Sequence, residues 1–273
     1  MGLGNKRVLV TGAAGHIGRK FVEHCGSAYD LRLMDKVEIP EAPAAAETVL
    51  GSVADPGAVA AAMQGVDAVV HLAADASPRA TWESVLENNI SGAQNIFSSA
   101  LEAGVRRVVF ASSSHTCAGH IREFDTVGPD APVRPDCLYG VSKVFGEALG
   151  RYYSDRHGLS VVCLRIGACH GGDDHERRRM HFKHMLTNDR SWPYRPWQNV
   201  SIWISNRDVA HLIQRAIEAD IQFGIFYGAS DHDPAVFDLS ETKRLLGFEP
   251  KDRAQDVLGE PYGPAHKPPI PPT

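Results

Sequence analysis

Apolar residues in the first two-thirds of the chain fall in short runs, at 7–10, 31–34, 68–73, 108–112 and 161–166. Runs this short, rich in Val, Leu and Ile, predict strands buried on both faces, as in a parallel sheet. Between them apolar positions recur at helical spacing, at 17–24, 59–64, 82–101 and 140–156. Strand and helix in alternation predict βαβ units, hence an α/β fold built on a doubly wound parallel sheet. From residue 171 the pattern breaks. Positions 171–200 mix charge, His, Trp and Pro without a clean period, which predicts a loop-rich insertion with one short helix. A helix at 208–219 and a strand at 224–227 follow. The proline-rich tail from Pro261 suits an extended arm, because proline lacks a donor and breaks helix and sheet interiors. We therefore expect 1–168 to form a dinucleotide-binding and catalytic domain. Residues 169–273 are expected to form a small substrate-binding region interleaved with the last elements of the sheet. No internal repeat is visible.

Composition narrows the function without naming it. The 273 residues are 43% hydrophobic and 22% charged, as in an ordinary folded domain. A formal net charge of −5 argues against nucleic acid as a partner, since phosphate backbones call for a basic face. No run approaches the ~18 apolar residues of a membrane span. The opening MGLGNKRVLVTGAAG runs straight into a strand and shows no signal-peptide pattern. The five cysteines are an odd number with no Cys-x-x-Cys pair, which fits reduced, mostly buried thiols and a cytoplasmic location.

The first strand leads into TGAAGHIG, residues 11–18, which also opens the first helix. In that context the glycines have distinct tasks: Gly12 allows the tight turn, Gly15 a close approach of backbone to a pyrophosphate, and Gly18 helix–strand packing. The helix N-terminus offers free N–H groups to phosphate. This is a Rossmann dinucleotide site. Asp35 ends the second run, close to the ~20 residues beyond the glycines where a carboxylate meets the ribose hydroxyls. It would repel a 2′-phosphate, so NAD is expected over NADP, with Arg32 and Lys36 as basic neighbours.

Tyr139 and Lys143 stand four apart in YGVSK, on one face of a helix. Tyrosine is a poor base near pH 7 until a nearby ammonium stabilises its phenolate. Ser113, at the end of the strand 108–112, can donate a hydrogen bond to the reacting oxygen. The expected catalytic set is Ser113, Tyr139 and Lys143.

With TGAAGHIG, HLAA at 71–74, NNISGAQN at 88–95, SSS at 112–114 and YGVSK at 139–143, the chain resembles the extended short-chain dehydrogenase/reductase superfamily. DLSETKRLLGFEP, 238–250, matches that branch's C-terminal pattern. Within it the chain is most similar to bacterial uronate dehydrogenases, through FASSSHT, RPDCLYGVSKVFGE, LRIGAC, WIS and GASDHD. The resemblance implies NAD-dependent oxidation of C1 of a hexuronate to its lactone. In it Tyr139 is the base, Lys143 tunes it and Ser113 orients the sugar. It extends the cofactor site to Ala14, His16, Ile17, Ser52, Val53, Leu72, Ala73, Ala74, Asn89 and Ile166. For the substrate it implies Ala76, Ser77, Ser114, His115, Gly167 and Ala168.

There are departures. Ser114 replaces an asparagine, Ala76 and Ala168 replace serines, Ser52 replaces an aspartate, and the carboxylate-binding arginine lacks a clear counterpart. The longer 169–203 segment instead carries Arg177, Arg178 and Arg179, expected here to take an anionic group. His170, His175, His181 and His184 lack the spacing and the fourth ligand of a metal site, so no metal is expected. Trp192, Trp197 and Trp203 suit packing or a sugar-stacking wall. The leading expectation is a hexuronate dehydrogenase, with a sugar or sugar acid and a second copy of the chain as partners. The alternatives are the same oxidation of a neutral, phosphorylated or sulfonated aldose, a sugar-nucleotide epimerase or dehydratase, and a non-catalytic dinucleotide sensor.

Overall fold

The computed structural model describes residues 6–170, 172, 174–187 and 195–263. Seven parallel strands form one sheet in the order β3-β2-β1-β4-β5-β6-β7. They are β1 Arg7–Thr11, β2 Asp30–Asp35, β3 Glu47–Leu50, β4 Ala68–His71, β5 Arg107–Ser113, β6 Ser160–Ile166 and β7 Phe223–Gly228. The order reverses direction between β1 and β4, and there the C-terminal strand ends open a crevice. The helices are α1 His16–Cys25, α2 Pro56–Ala62, α3 Trp82–Val85, α4 Gly92–Glu102, α5 Ala118–Glu123, α6 Leu138–His157, α7 His175–Thr187, α8 Pro196–Ser201, α9 Asn206–Glu218, α10 Ser240–Leu246 and α11 Ala254–Leu258.

Apolar side chains collect in three cores. One lies between the sheet and α1 with α9, around Val10, Phe21, Leu33, Val70, Leu212 and Ile213. The opposite face packs on α2, α4 and α6 through Val59, Ile96, Phe97, Phe110 and Tyr153. A third, smaller core joins α5, α7, α8 and α11 around Phe182, Trp197, Trp203 and Phe237. Both faces of the sheet are therefore covered, which is why its strands read as unbroken apolar runs. An isolated bridge from Ala168, just past β6, to Trp203 ties the third core to the end of the sheet, and a second, Val127 to Phe237, lies within that core.

The strand at 224–227 takes its place in the sheet as β7, so the segment after 168 returns to the sheet's edge. Three features differ from the sequence pattern. β3 has no counterpart among the apolar runs, because this edge strand exposes most of its residues. The single helix expected at 82–101 divides into α3, a wide π-helical turn at Leu86–Ser91 and α4. The stretch at 171–200 holds two helices, α7 and α8, rather than one. Trp197 and Trp203 are buried in the third core, so packing rather than sugar stacking is their role. Trp192 and most of the proline-rich tail lie outside the described residues.

Candidate active site

A cavity of about 970 Å³ opens at the switch point, and a smaller one of about 150 Å³ continues it past Gly12, Gly15, Leu72 and Ala74. The glycine loop forms one end. Gly12 takes φ +72°, and a Cβ there would sit 2.7 Å from the Ala73 amide nitrogen, so only glycine lets the two loops touch. The hollow that the missing side chains leave, at the N-terminus of α1, fits a pyrophosphate. Gly18, His16 and Ile17 complete this wall, and the His16 ring is 2.8 Å from Asn206 Oδ1 on α9. Asp35 ends β2 in the smaller cavity beside Ser52, Val53 and Ala73. Its carboxylate accepts from the Ala14 amide at 3.0 Å. Of its basic neighbours, Lys36 lines the cavity. Arg32 is turned away onto Glu47 and the carbonyls of Ala62 and Gln64. The groove and the ribose-level carboxylate thus fit NAD.

The candidate reacting end is built on β5 and α6. Ser113 lies opposite Ile166 in the β5–β6 register and its Oγ accepts from the His115 amide at 3.2 Å. Cys137 caps α6, its sulfur accepting from the Gly140 amide at 3.4 Å. A Cβ on Gly140 would be 2.6 Å from the His115 carbonyl, so glycine there lets the helix start against the Ser113 turn. Tyr139 and Lys143 follow in the first two turns, and Ser113, Tyr139 and Lys143 all line the cavity. Burial pushes the Tyr139 phenol up to about 12, with a Ser113 hydrogen bond pulling the other way. Burial also pushes the Lys143 amine down to about 8. Its Nζ lies 4.9 Å from the Phe110 ring centre and 5.5 Å from that of Tyr139. Each group alone resists its charged form in this dry wall, whereas a phenolate–ammonium pair relieves both.

Behind the wall is a closed polar network. Glu147 of α6 takes Arg165 of β6 through two contacts at 2.9 Å, and the Ser112 hydroxyl at 2.5 Å. His71 is buried on Thr11 at 2.8 Å and pushed down to about 3 by desolvation, a supporting rather than a titrating group.

Asn89 does not appear among the lining residues, where its neighbour Asn88 does. Its side chain closes on both backbone groups of Asp75, at 2.8 and 3.0 Å, and donates to Ser142 at 2.9 Å. Ser142 in turn donates to the Tyr139 carbonyl at 2.7 Å. The wide π-helical turn carries Asn89 inward to tie the loop after β4 to the first turns of α6.

Ala76, Ser77, Ser114, His115, Gly167 and Ala168 also line the cavity. The same wall holds Arg79, Arg122, Asp136 and Cys137, which the sequence reading did not single out for function. His115 Nδ1 is 2.8 Å from Asp136 Oδ1 and 3.7 Å from the Cys137 sulfur, and its ring meets Tyr139 edge-on at 5.8 Å. Burial alone would lower His115, but its bonds to Asp136 and Cys137 carry it up to about 9. Arg122 donates to the other Asp136 oxygen at 3.0 Å. Only Asp136 and Cys137 had a signal, lying inside the quoted RPDCLYGVSKVFGE motif. Among the described residues this trio is also the one His/Cys/Asp/Glu group close enough to share an ion; the histidines of 170–184 form none.

The basic run is corrected by the structure. None of Arg177, Arg178 and Arg179 lines the cavity. Arg178 donates to the Gly172 carbonyl and lies over Trp203, and Arg179 approaches Glu176 at 3.6 Å. Arg177 is exposed to solvent, and Met185 is the α7 residue that reaches the wall.

A parallel sheet of this order, with a glycine-loop dinucleotide groove and a Ser–Tyr–Lys set on one wall, defines a short-chain dehydrogenase/reductase of the extended kind. The chain belongs to the NAD dependent epimerase/dehydratase family, which it matches over residues 8–225. It is 38% identical to an NAD-dependent glucose-6-phosphate dehydrogenase of Haloferax volcanii, over 93% of this chain and 97% of that one. To an L-arabinose 1-dehydrogenase (NAD(P)(+)) of the same organism it is 37% identical, over 92% and 99%. A uronate dehydrogenase variant from Agrobacterium tumefaciens, solved with NAD, superposes with a TM-score of 0.77 at 34% identity, over 98% of this chain and 92% of that one.

Proposed function

We propose that the chain oxidises the anomeric C1 hydroxyl of a free anionic aldose, a hexuronate, to its lactone. It is an NAD-dependent oxidoreductase acting on a sugar CH–OH group. The observation that carries the reading is the meeting of Ser113, Tyr139 and Lys143 in one cavity with the glycine loop. Residues 1–168 then hold cofactor and chemistry, and 169–273 close the substrate end.

Gly12, Gly15, His16 and Ile17 would hold the pyrophosphate of NAD, Asp35 its adenosine ribose, Ser52 and Val53 the adenine end, and Ala73, Ala74 and Ile166 the groove walls. Bound NAD supplies the acceptor for the C1 hydride and a positive nicotinamide charge. Tyr139 Oη takes the hydroxyl proton as the C1–O bond becomes the lactone carbonyl. Lys143 stabilises the phenolate from within the dry wall, and the Ser113 hydroxyl donates to the reacting oxygen. A sensor that only binds dinucleotide has no need of this set. The second reading, a sugar phosphate, is favoured by the identity to the glucose-6-phosphate enzyme.

No helix among the described residues is long and apolar enough to cross a membrane. None of the five cysteines, all among the described residues, forms a disulfide, which supports a reducing cytoplasm as the location. Val141, Phe145 and Tyr152 on α6 are exposed apolar side chains, which supports a homo-oligomer, readable by sedimentation equilibrium. The decisive experiment offers hexuronates, hexose 6-phosphates and neutral aldoses with NAD and follows NADH absorbance. A turnover strongest on hexuronates is expected; silence on every aldose would overturn the reading.

A further inference from the structure

The cavity wall carries more cationic than anionic side chains. Arg79, Arg122 and His115 line the cavity with a single carboxylate, Asp136, in a chain of net charge −5. His115 and Arg122 already share Asp136, at 2.8 and 3.0 Å. Arg79 has no side-chain hydrogen bond or ion pair among the described residues, although its backbone is held in place. Asn89 closes on both backbone groups of Asp75. The Asp75 carboxylate accepts from the Ser77 amide at 3.1 Å and the Ser84 hydroxyl at 2.6 Å. Ser77 Oγ then accepts from the Arg79 amide at 3.1 Å. A fixed loop thus carries an uncommitted guanidinium at the cavity wall. Its loop follows β4 and the Arg122 helix follows β5, so paired neighbouring strands deliver both to one crevice.

We propose that Arg79, together with Arg122, reads the anionic group of the substrate at the end of the sugar remote from C1. The inference rests on the reading of the chain as an aldose dehydrogenase and assigns its anion selectivity to residues outside the basic run at 177–179. Guanidinium offers paired donors to carboxylate and phosphate oxygens alike. A neutral sugar leaves Arg79 hydrated and gains nothing from it. An anionic one exchanges that hydration for a charge-assisted contact. Arg122 stays tied to Asp136 through one nitrogen and keeps other donors for the ligand.

Glucose, glucuronate and glucose 6-phosphate share one ring and differ at C6, so the whole enzyme with NAD and these three sugars makes the test. The ratio of kcat/KM on an anionic sugar to that on glucose should fall at least ~10-fold in Arg79→Ala, through KM. Arg79→Lys should recover part of the loss, and Arg244→Ala, on the exposed face of α10, should show the wild-type ratio. The sugar whose ratio moves most identifies carboxylate or phosphate as the group read. An unchanged ratio in Arg79→Ala overturns the inference and leaves the dehydrogenase reading standing. If the wild type reduces NAD with no aldose, that reading has failed. Calorimetric binding of the two anionic sugars then decides alone: equal affinity for wild type and Arg79→Ala overturns the inference, and ~10-fold weaker binding to the variant supports it.

Discussion

The two ends of the cavity are built by different means. At the reacting end every group stands on the sheet or on α6, and the polar side chains behind it are buried and mutually satisfied. Ser113 continues β5, Tyr139 and Lys143 share one face of α6, and the Arg165–Glu147 pair locks β6 to α6 beneath them. At the other end, where we place substrate recognition, the groups stand on the loop after β4, on the turn after β5, on α5 and on the segment before α6. They are partly exposed, and their partners come from distant stretches of chain. Proton transfer needs placement to within fractions of an ångström, which packed elements supply. Recognition needs charge at the right distance and tolerates change on loops. That division matches relatives named for a phosphorylated and a neutral sugar at nearly the same identity.

The comparison breaks first if the reacting end is not rigidly underpinned. Removing one partner of a buried ion pair strands the other charge, so Glu147→Ala should cost about 3–5 kcal/mol of stability. Denaturant melts of wild type and variant check this, and a loss below about 1 kcal/mol would show that the Arg165 guanidinium reaches water.

The next largest effect concerns the chemistry itself. Tyr139→Phe should leave NAD affinity nearly intact and lower turnover at least ~100-fold, the usual scale for a missing general base. A variant retaining more than about a tenth of wild-type turnover would move the proton acceptor elsewhere.

The smallest effect sharpens the description of the recognition end. His115 is carried up to about 9, above its unfolded value, so it binds a proton more tightly when folded. Its contribution is therefore complete below about pH 6.5 and disappears as pH rises through about 9. The stability difference between wild type and His115→Gln should shrink by on the order of 2 kcal/mol between pH 6 and pH 10. A difference that holds constant would mean that His115 is not charged by Asp136.

Much of this molecule was legible before its structure. Apolar runs announce strands buried on both faces, and six of the seven were readable; β3 was not, because an exposed edge strand carries no apolar signature. The glycine loop, Asp35, Ser113, Tyr139 and Lys143 were legible because each belongs to a local pattern, where spacing along one element fixes geometry. The recognition end was legible only in part. Arg177–Arg179 drew notice as a run, yet α7 turns them away from the cavity wall. Arg79 stands alone in its loop, and the sequence around Asn89 carries no signal for its bonds to Asp75. His115 and Asp136 lie 21 residues apart, Arg79 and Arg122 on different crossovers. Their meeting depends on which loops the sheet order brings to one end of the crevice, and no periodicity along the chain encodes that. The sequence by itself determined the sheet and the dinucleotide groove, whose signals recur at fixed spacing within single elements; only the tertiary structure decided which side chains line the cavity together, because Ser113 and Tyr139, like His115 and Asp136, come from separate segments that only the folded sheet brings to one crevice.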